Sequence, residues 1–299
     1  DGERTLMATV TSGVAYAYPG ATTSGGPVTE LAEGMRDTVA DISGGMARLG
    51  CGFWVRSSDL RIERGQAEET RGQARFEADG TECRLTLTGV QLACAEYDPG
   101  EEALFLYVNE GGSLARDIAS WRLDGTPFDA ASVEDGRRIR LSLRGGAELG
   151  GYYVNRDDSG MTLHVRSRFR AGDGEKPLSG AVILLDPGHG GEENGALGLL
   201  GEVVPEKSLN LELAQLVRAR LEALGAQVLM TREDDRRVTL EERVARSREA
   251  KPDLMLSLHA NSMNDNVDMS GISGFCAFYT SAVSEKAART LYETARERL

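Results

Sequence analysis

The chain has 299 residues, a formal net charge of −13 and a hydrophobic fraction of 40%. That length exceeds one ordinary core and calls for two or three domains. No apolar run approaches the ~20 residues that cross a bilayer, which excludes a membrane-spanning helix. The acidic balance excludes a general nucleic-acid binder, because phosphate backbones are held by clustered Lys and Arg. The opening residues Asp1-Gly-Glu-Arg lack the basic stretch and apolar core of a signal peptide. Cys51, Cys83, Cys94 and Cys276 show no C-x-x-C spacing, so none reads as a ligand of a thiolate metal site.

Residues 5–63 alternate short β-like runs with Gly, Pro and Ser turns, as in TLMATVTSGVAYAYPG, and predict a small all-β module. The order of Val10 and Tyr16 in a first strand, a Ser/Gly loop, LAEGMRDTV and GCGFWVRSSDLRI resembles a bacterial Src-homology-3-like domain. That resemblance implies a barrel that binds wall components or acts as a spacer. Tyr16, Tyr18 and Trp54 are then either binding aromatics or core.

Residues 66–170 stay β-rich, with alternation in CRLTLTGVQLAC, ALFLYVN, RIRLSLRG and MTLHVRSRF, and predict a second all-β domain. A tight turn at Thr88-Gly89 would set Cys83 opposite Cys94. Two readings follow, a cross-strand disulfide suited to an exported protein or two small buried hydrophobes. Cys51 and Cys276 read as core. His164 shares a polar strand face with Arg166 and Arg168, which makes it a surface residue and not a ligand. AGDGEKPLSG, residues 171–180, has the composition of a linker.

From residue 181 the period changes. AVILLDPG is a continuous apolar run, the mark of a parallel strand buried on both faces. Pro205-Glu206 opens a helix whose Leu209, Leu213, Leu216, Val217, Leu221 and Leu224 are spaced for one buried face, with Gly225 at its end. Strand AQVLMTR, a helix opened by the capping box Thr239-x-x-Glu242, and strand DLMLSLHAN follow. GISGFCAFYT reads as a further strand, and SEKAARTLYETARERL begins another helix. The β-α-β-α-β order with right-handed crossovers predicts an open, mainly parallel sheet over residues 181–299.

In such sheets the reactive edge lies at the carboxyl ends of the strands. His189 follows the first of these strands, His259 closes the strand DLMLSLHAN, and Glu206 sits in the first turn of the helix between them. Two imidazoles and a carboxylate make a three-ligand site with a fourth position open for water, and N and O donors of this kind favour zinc over magnesium or calcium. The competing reading is two structural histidines and a glutamate serving the helix dipole. Asp186 is a candidate to orient His189, or else a turn former before Pro187. Arg232 and Asn261 are candidates to line the cleft.

LLDPGHGG, VPEKSLNLELAQLV, VLMTREDDRRVTLEERV and PDLMLSLHAN resemble, in order, the zinc-dependent (type-3) N-acetylmuramoyl-L-alanine amidase family, over residues 181 to about 280. The resemblance implies one zinc held by His189, Glu206 and His259, peptidoglycan as substrate and partner, and export to the cell wall or extracellular space. It also implies a catalytic glutamate in a later segment resembling V-E-x-G-F-x-x-N, which is expected beyond Leu299. Glu285, Glu293 and Glu297 instead belong to the last predicted helix, which runs to Leu299. No catalytic base is therefore assigned, and the expectation is a C-terminally truncated, inactive fragment. Two rival functions remain, a peptidoglycan-binding module with a degenerate amidase domain and a zinc carboxypeptidase of wall peptides. No sequence feature sets an oligomeric state.

Overall fold

A computed structural model describes residues 5–66, 72–80, 82–109, 112–157, 160–197, 204–260 and 274–298. The chain divides into two compact units, residues 1–167 with 277–299, and residues 168–276.

The first unit begins with strands β1 (Thr5–Val10), β2 (Val14–Tyr18), β3 (Thr29–Ala32), β4 (Arg36–Ser43), β5 (Met46–Leu49), β6 (Trp54–Arg56) and β7 (Leu60–Gly65). They form one antiparallel sheet in the order β3-β2-β6-β5-β4-β1-β7. Gly44 and Gly45, with φ of 58° and 80°, make the two-residue turn between β4 and β5. Both positions need positive φ for the turn to match strand twist, which is why glycine occupies them.

Strands β8 (Gln73–Asp79), β9 (Glu82–Thr88), β10 (Ala93–Asp98) and β11 (Ala103–Val108) follow, then the single-turn helix α1 (Ala115–Ile118). Strands β12 (Phe128–Glu134), β13 (Arg138–Leu143), β14 (Leu149–Asp157) and β15 (Gly160–Ser167) complete two four-stranded sheets, ordered β10-β11-β13-β12 and β14-β15-β9-β8. The two expected β domains do not hold separate interiors. One apolar core runs from Val10, Leu31 and Val55 through Leu85, Leu104 and Leu141, and the ring of Phe53 meets that of Tyr107 edge-on at 4.7 Å.

Three expectations change here. Strands β9 and β10 fall in different sheets, so Cys83 and Cys94 are not cross-strand partners; both are buried free thiols. The chain bends out of the hairpin after Thr88 because β9 pairs instead with β8 and β15. Cys276 is exposed, not core. His164 is half-buried: its Nδ1 lies 2.8 Å from the Glu82 carboxylate and its ring stacks on Tyr153 at 4.5 Å. Of the aromatics, Tyr18 is core, Tyr16 is exposed and Trp54 is intermediate.

The second unit holds β16 (Val182–Pro187), α2 (Glu206–Ala223), β17 (Gln227–Met230), α3 (Leu240–Ala250) and β18 (Leu254–Leu258). All three strands are parallel, in the order β17-β16-β18. The first strand is therefore central, and the two that follow lie on opposite sides of it. The strand order reverses at β16, and such a switch point places a crevice at the carboxyl ends of the strands. The proposed linker is not free: Leu178 N–H donates to Leu224 O (3.0 Å), and Phe169 and Leu178 pack on this unit's core of Ile183, Leu185, Ala214 and Val228.

Helix α2 turns a different face inward from the one its leucines predict. Glu206, Asn210 and Ala214 are its buried residues and the expected Val217 and Leu221 do pack on the core, whereas Leu209, Leu213, Leu216 and Leu224 are exposed. Its start is set by Pro205, and Gly225 (φ 97°) ends it. The capping box at α3 forms on both arms: Glu242 N–H donates to Thr239 Oγ1 and Thr239 N–H to Glu242 Oε2. The expected strand at 271–280 is absent over residues 274–280, where the backbone is irregular and Phe275, Phe278 and Tyr279 are exposed; residues 271–273 lie outside the described residues. A strand there needs a paired edge, and β18 is hydrogen-bonded only to β16 among the described residues. Helix α4 (Ala282–Arg298) groups with the first unit, with Val283 against its core and Lys286 paired to Glu148 at 2.7 Å. The expected domain ran over 181–299, and within it this helix clusters with the first unit; Leu299 itself lies outside the described residues.

Candidate metal centre

The crevice brings three predicted side chains together. His189 and His259 leave the adjacent strands β16 and β18, and Glu206 rises from the first turn of α2 between them. One ligand atom from each lies within 4.8 Å of the others. His189 Nε2 is 3.2 Å from Glu206 Oε2, His259 Nδ1 is 3.1 Å from Oε1, and the two rings stand at 82° with centroids 4.9 Å apart.

The local sequence explains why these groups can crowd. Gly195, with φ of 67°, passes so close that an added Cβ would lie 2.6 Å from both Glu206 Oε2 and His189 Cδ2. His189 itself adopts φ of 60°, a left-handed conformation that L-residues avoid.

Glu206 is the anchor. It is only 5% exposed, and both its oxygens accept backbone N–H groups, Oε2 from Ala196 at 2.9 Å and Oε1 from Ala260 at 2.9 Å. Asn210, one helical turn on, adds a weaker bond at 3.4 Å. Burial raises the pKa of this carboxyl, but the Ala196 and Ala260 amides, the Asn210 side chain and the neighbouring His189 together bring it below the usual value. The group is thus held as an anion, facing two imidazoles.

Such a donor set fits a divalent cation of borderline softness. Metal–donor bonds of roughly 2.0–2.2 Å at tetrahedral angles leave neighbouring donors roughly 3.3–3.5 Å apart; each histidine lies near that distance from one Glu206 oxygen, Oε2 for His189 and Oε1 for His259, and one ligand atom per residue falls within 4.8 Å of the others. His259 is 49% exposed at its side chain and His189 28%, so the site opens to solvent on the histidine side. Among the described residues, this is the one group of three or more His, Cys, Asp or Glu side chains placed to hold a metal ion.

Residues 183–299 match the Amidase_3 family, N-acetylmuramoyl-L-alanine amidase. All three converging side chains lie inside the matched segment. N-acetylmuramoyl-L-alanine amidase LytC of Bacillus subtilis strain 168 is 27% identical over 189 residues, which cover 62% of this chain and 36% of LytC. N-acetylmuramoyl-L-alanine amidase AmiC of Escherichia coli O6:H1 is 39% identical over 114 residues, covering 38% of this chain and 26% of AmiC. The solved catalytic domain of CwlV, an N-acetylmuramoyl-L-alanine amidase from Bacillus (Paenibacillus) polymyxa var. colistinus, is 30% identical, with a TM-score of 0.35, over 38% of this chain and 61% of that one. The chain spans about a third or less of the length of the two curated relatives.

The other residues singled out from sequence fall elsewhere. Asp186 is not bonded to the His189 ring: its carboxylate accepts from Thr231 Oγ1 (2.6 Å), from Ser257 Oγ (2.7 Å) and from Arg243, and it reaches the His189 backbone only through that arginine. Arg232 does not line the cleft. It is 1% exposed and lies beneath the loop that carries His189, because its guanidinium is drawn to that loop's carbonyls. Asn261 and Leu299 lie outside the described residues. Glu285, Glu293 and Glu297 fall on α4, in the first unit, and take no part in the metal centre. Sequence reasoning missed Asn210, Arg243 and the two amides on Glu206. Asn210 had a legible signal, its i+4 spacing from Glu206. Arg243, in a strongly charged helix, had none.

Proposed function

We propose that this chain carries the zinc site of a cell-wall hydrolase that cuts the amide between N-acetylmuramic acid and L-alanine in peptidoglycan. The observation that carries this reading is the convergence of His189, Glu206 and His259 at one sheet edge, inside the segment that matches the amidase family. The three side chains hold Zn²⁺. Bound there, zinc supplies an activated water and polarises the carbonyl of the scissile amide.

The chain's own residues prepare that chemistry. Glu206 stays ionised at neutral pH and adds one negative charge to the ligand set, while its amide and Asn210 contacts fix both oxygens. The part-exposed His189 and His259 side chains would leave a bound ion open to water and to the scissile amide from their side. In this reading the protein is exported, and the seven-stranded N-terminal sheet is a Src-homology-3-like module that contacts the wall through exposed aromatics such as Tyr16.

The test compares zinc content of the chain with that of its His189→Ala and His259→Ala variants, alongside product analysis on peptidoglycan with the whole protein. About one zinc per chain, lost in both variants, and release of peptides with a free L-alanine amino group are expected. A folded wild-type chain without zinc sinks the site. Zinc retained with no release by the whole protein favours a binding module, and release of single C-terminal amino acids favours a carboxypeptidase.

A further inference from the structure

We propose that Arg232 and Arg243 are positioning residues for the metal centre: their buried guanidiniums grip successive carbonyls of the loop that carries His189 and hold it in its left-handed conformation. The inference rests on the zinc reading given above and adds two residues that touch none of the ligand side chains.

The grip is specific. Arg232 donates from Nε to Pro187 O at 2.9 Å, and from Nη2 to Gly188 O at 2.9 Å and to Lys207 O at 2.7 Å. Arg243 donates from Nη1 to Pro187 O at 3.2 Å and from Nη2 to His189 O at 3.0 Å. Three consecutive peptide carbonyls, 187 to 189, thus point toward two cations under the loop. Lys207 extends the row with a 2.6 Å bond to Gly191 O and, being next to Glu206, ties the loop to the ligand helix.

With the carbonyls fixed below, the geometry of a short backbone leaves the His189 side chain directed to the other side, toward Glu206. Its φ of 60° is sterically unfavourable and persists only where its surroundings impose it. Two buried guanidiniums against one buried carboxylate, Asp186, are also costly to place side by side. In the proposed role that cost is offset by the geometry the two groups impose on the loop. Guanidinium suits the task because it presents several donors in a rigid plane, whereas an ammonium presents a point charge on a flexible stem.

The test uses the full chain with Arg232→Lys and Arg243→Lys, which keep the charge and lose the fork. Zinc affinity is read by competition with a chromogenic chelator, and ligand geometry by the visible absorption of the cobalt-substituted protein. Val228→Ala, which weakens the same unit through its apolar core and leaves both arginines in place, is the control. Each lysine variant is expected to bind zinc 10–100-fold more weakly, the range seen when groups supporting metal ligands are removed, and to shift the cobalt band. The control is expected to do neither. Should the lysine variants not fold, Thr231→Val, which removes one donor from the Asp186 carboxylate that holds Arg243, carries the same expectation at smaller size. Folded variants with wild-type zinc affinity and an unshifted band, or an equal fall in Val228→Ala, overturn the proposal. A wild-type chain that binds no zinc sinks the zinc reading itself.

Discussion

The first unit fills its interior mainly with apolar side chains from three sheets and buries few charged groups, Asp37 and Glu82 among them, while the second, with a much smaller apolar cluster, gathers buried Asp186, Glu206, Asn210, Thr231, Arg232 and Arg243 around one strand end. Apolar burial is non-directional and tolerates shifts of a side chain, so it stabilises without fixing any one atom. A buried hydrogen-bonded network does the reverse. It adds little net stability per bond, yet each member is costly to orphan and so has one permitted place. The contrast assigns stability chiefly to the first unit and geometry chiefly to the second.

The contrast is sharpest when one partner of the polar network is removed. Asp186→Ala leaves Arg243 buried without its carboxylate and is expected to cost the second unit about 3–5 kcal/mol. Hydrogen exchange of peptides from residues 181–260 reads this directly; protection unchanged from wild type would show that the network is dispensable. Leu104→Ala, a fully buried core truncation in the first unit, is expected to cost about 2–5 kcal/mol. Both tryptophans, Trp54 and Trp121, lie in the first unit, so their fluorescence follows that transition alone. Zinc affinity should not change with it, and an equal loss of affinity would mean that the site depends on general stability.

A subtler break is Gly195→Ala. The added methyl meets Glu206 Oε2 and His189 Cδ2 at 2.6 Å, and the backbone must keep φ at 67°. The left-handed penalty of about 1–2 kcal/mol is expected to appear as reduced protection of the second unit. The displaced carboxylate is expected to weaken zinc binding further, measured with the same chelator competition. Weakened stability with intact zinc affinity would place Gly195 in the fold and not in the site.

What was legible in the sequence follows the same division. His189, Glu206 and His259 could be brought together on paper because strand order and a helix start are enough to put three residues at one sheet edge. The capping box at Thr239 was legible because its chemistry is local. The supporting shell was not, since Arg232 and Arg243 reach the carbonyls of residues 187–189, more than forty residues away, and carbonyls carry no sequence signal. The register of Cys83 against Cys94 failed because turn chemistry fixes neighbours only when both strands stay in one sheet. The strand read at GISGFCAFYT failed for a related reason: alternation shows that a segment can pair, not that an edge awaits it.

Helix α2 gives the smallest expected effect and the cleanest test of that lesson. Its leucine spacing predicts a buried stripe through Leu209, Leu213 and Leu216, yet the inward positions are Glu206, Asn210 and Ala214 because the ligand must face the crevice and the rest of the helix turns with it. Leu216, 62% exposed, should then behave as a surface residue. Leu216→Ala is expected to change the stability of the second unit by less than about 0.5 kcal/mol, against the several expected for Leu104→Ala in the first. Hydrogen exchange on residues 206–230 provides the measurement. A loss approaching about 2 kcal/mol, the scale of a buried leucine truncation, would mean that this face is covered in solution, and that the leucine stripe was the truer guide to the helix than its ligand-bearing edge.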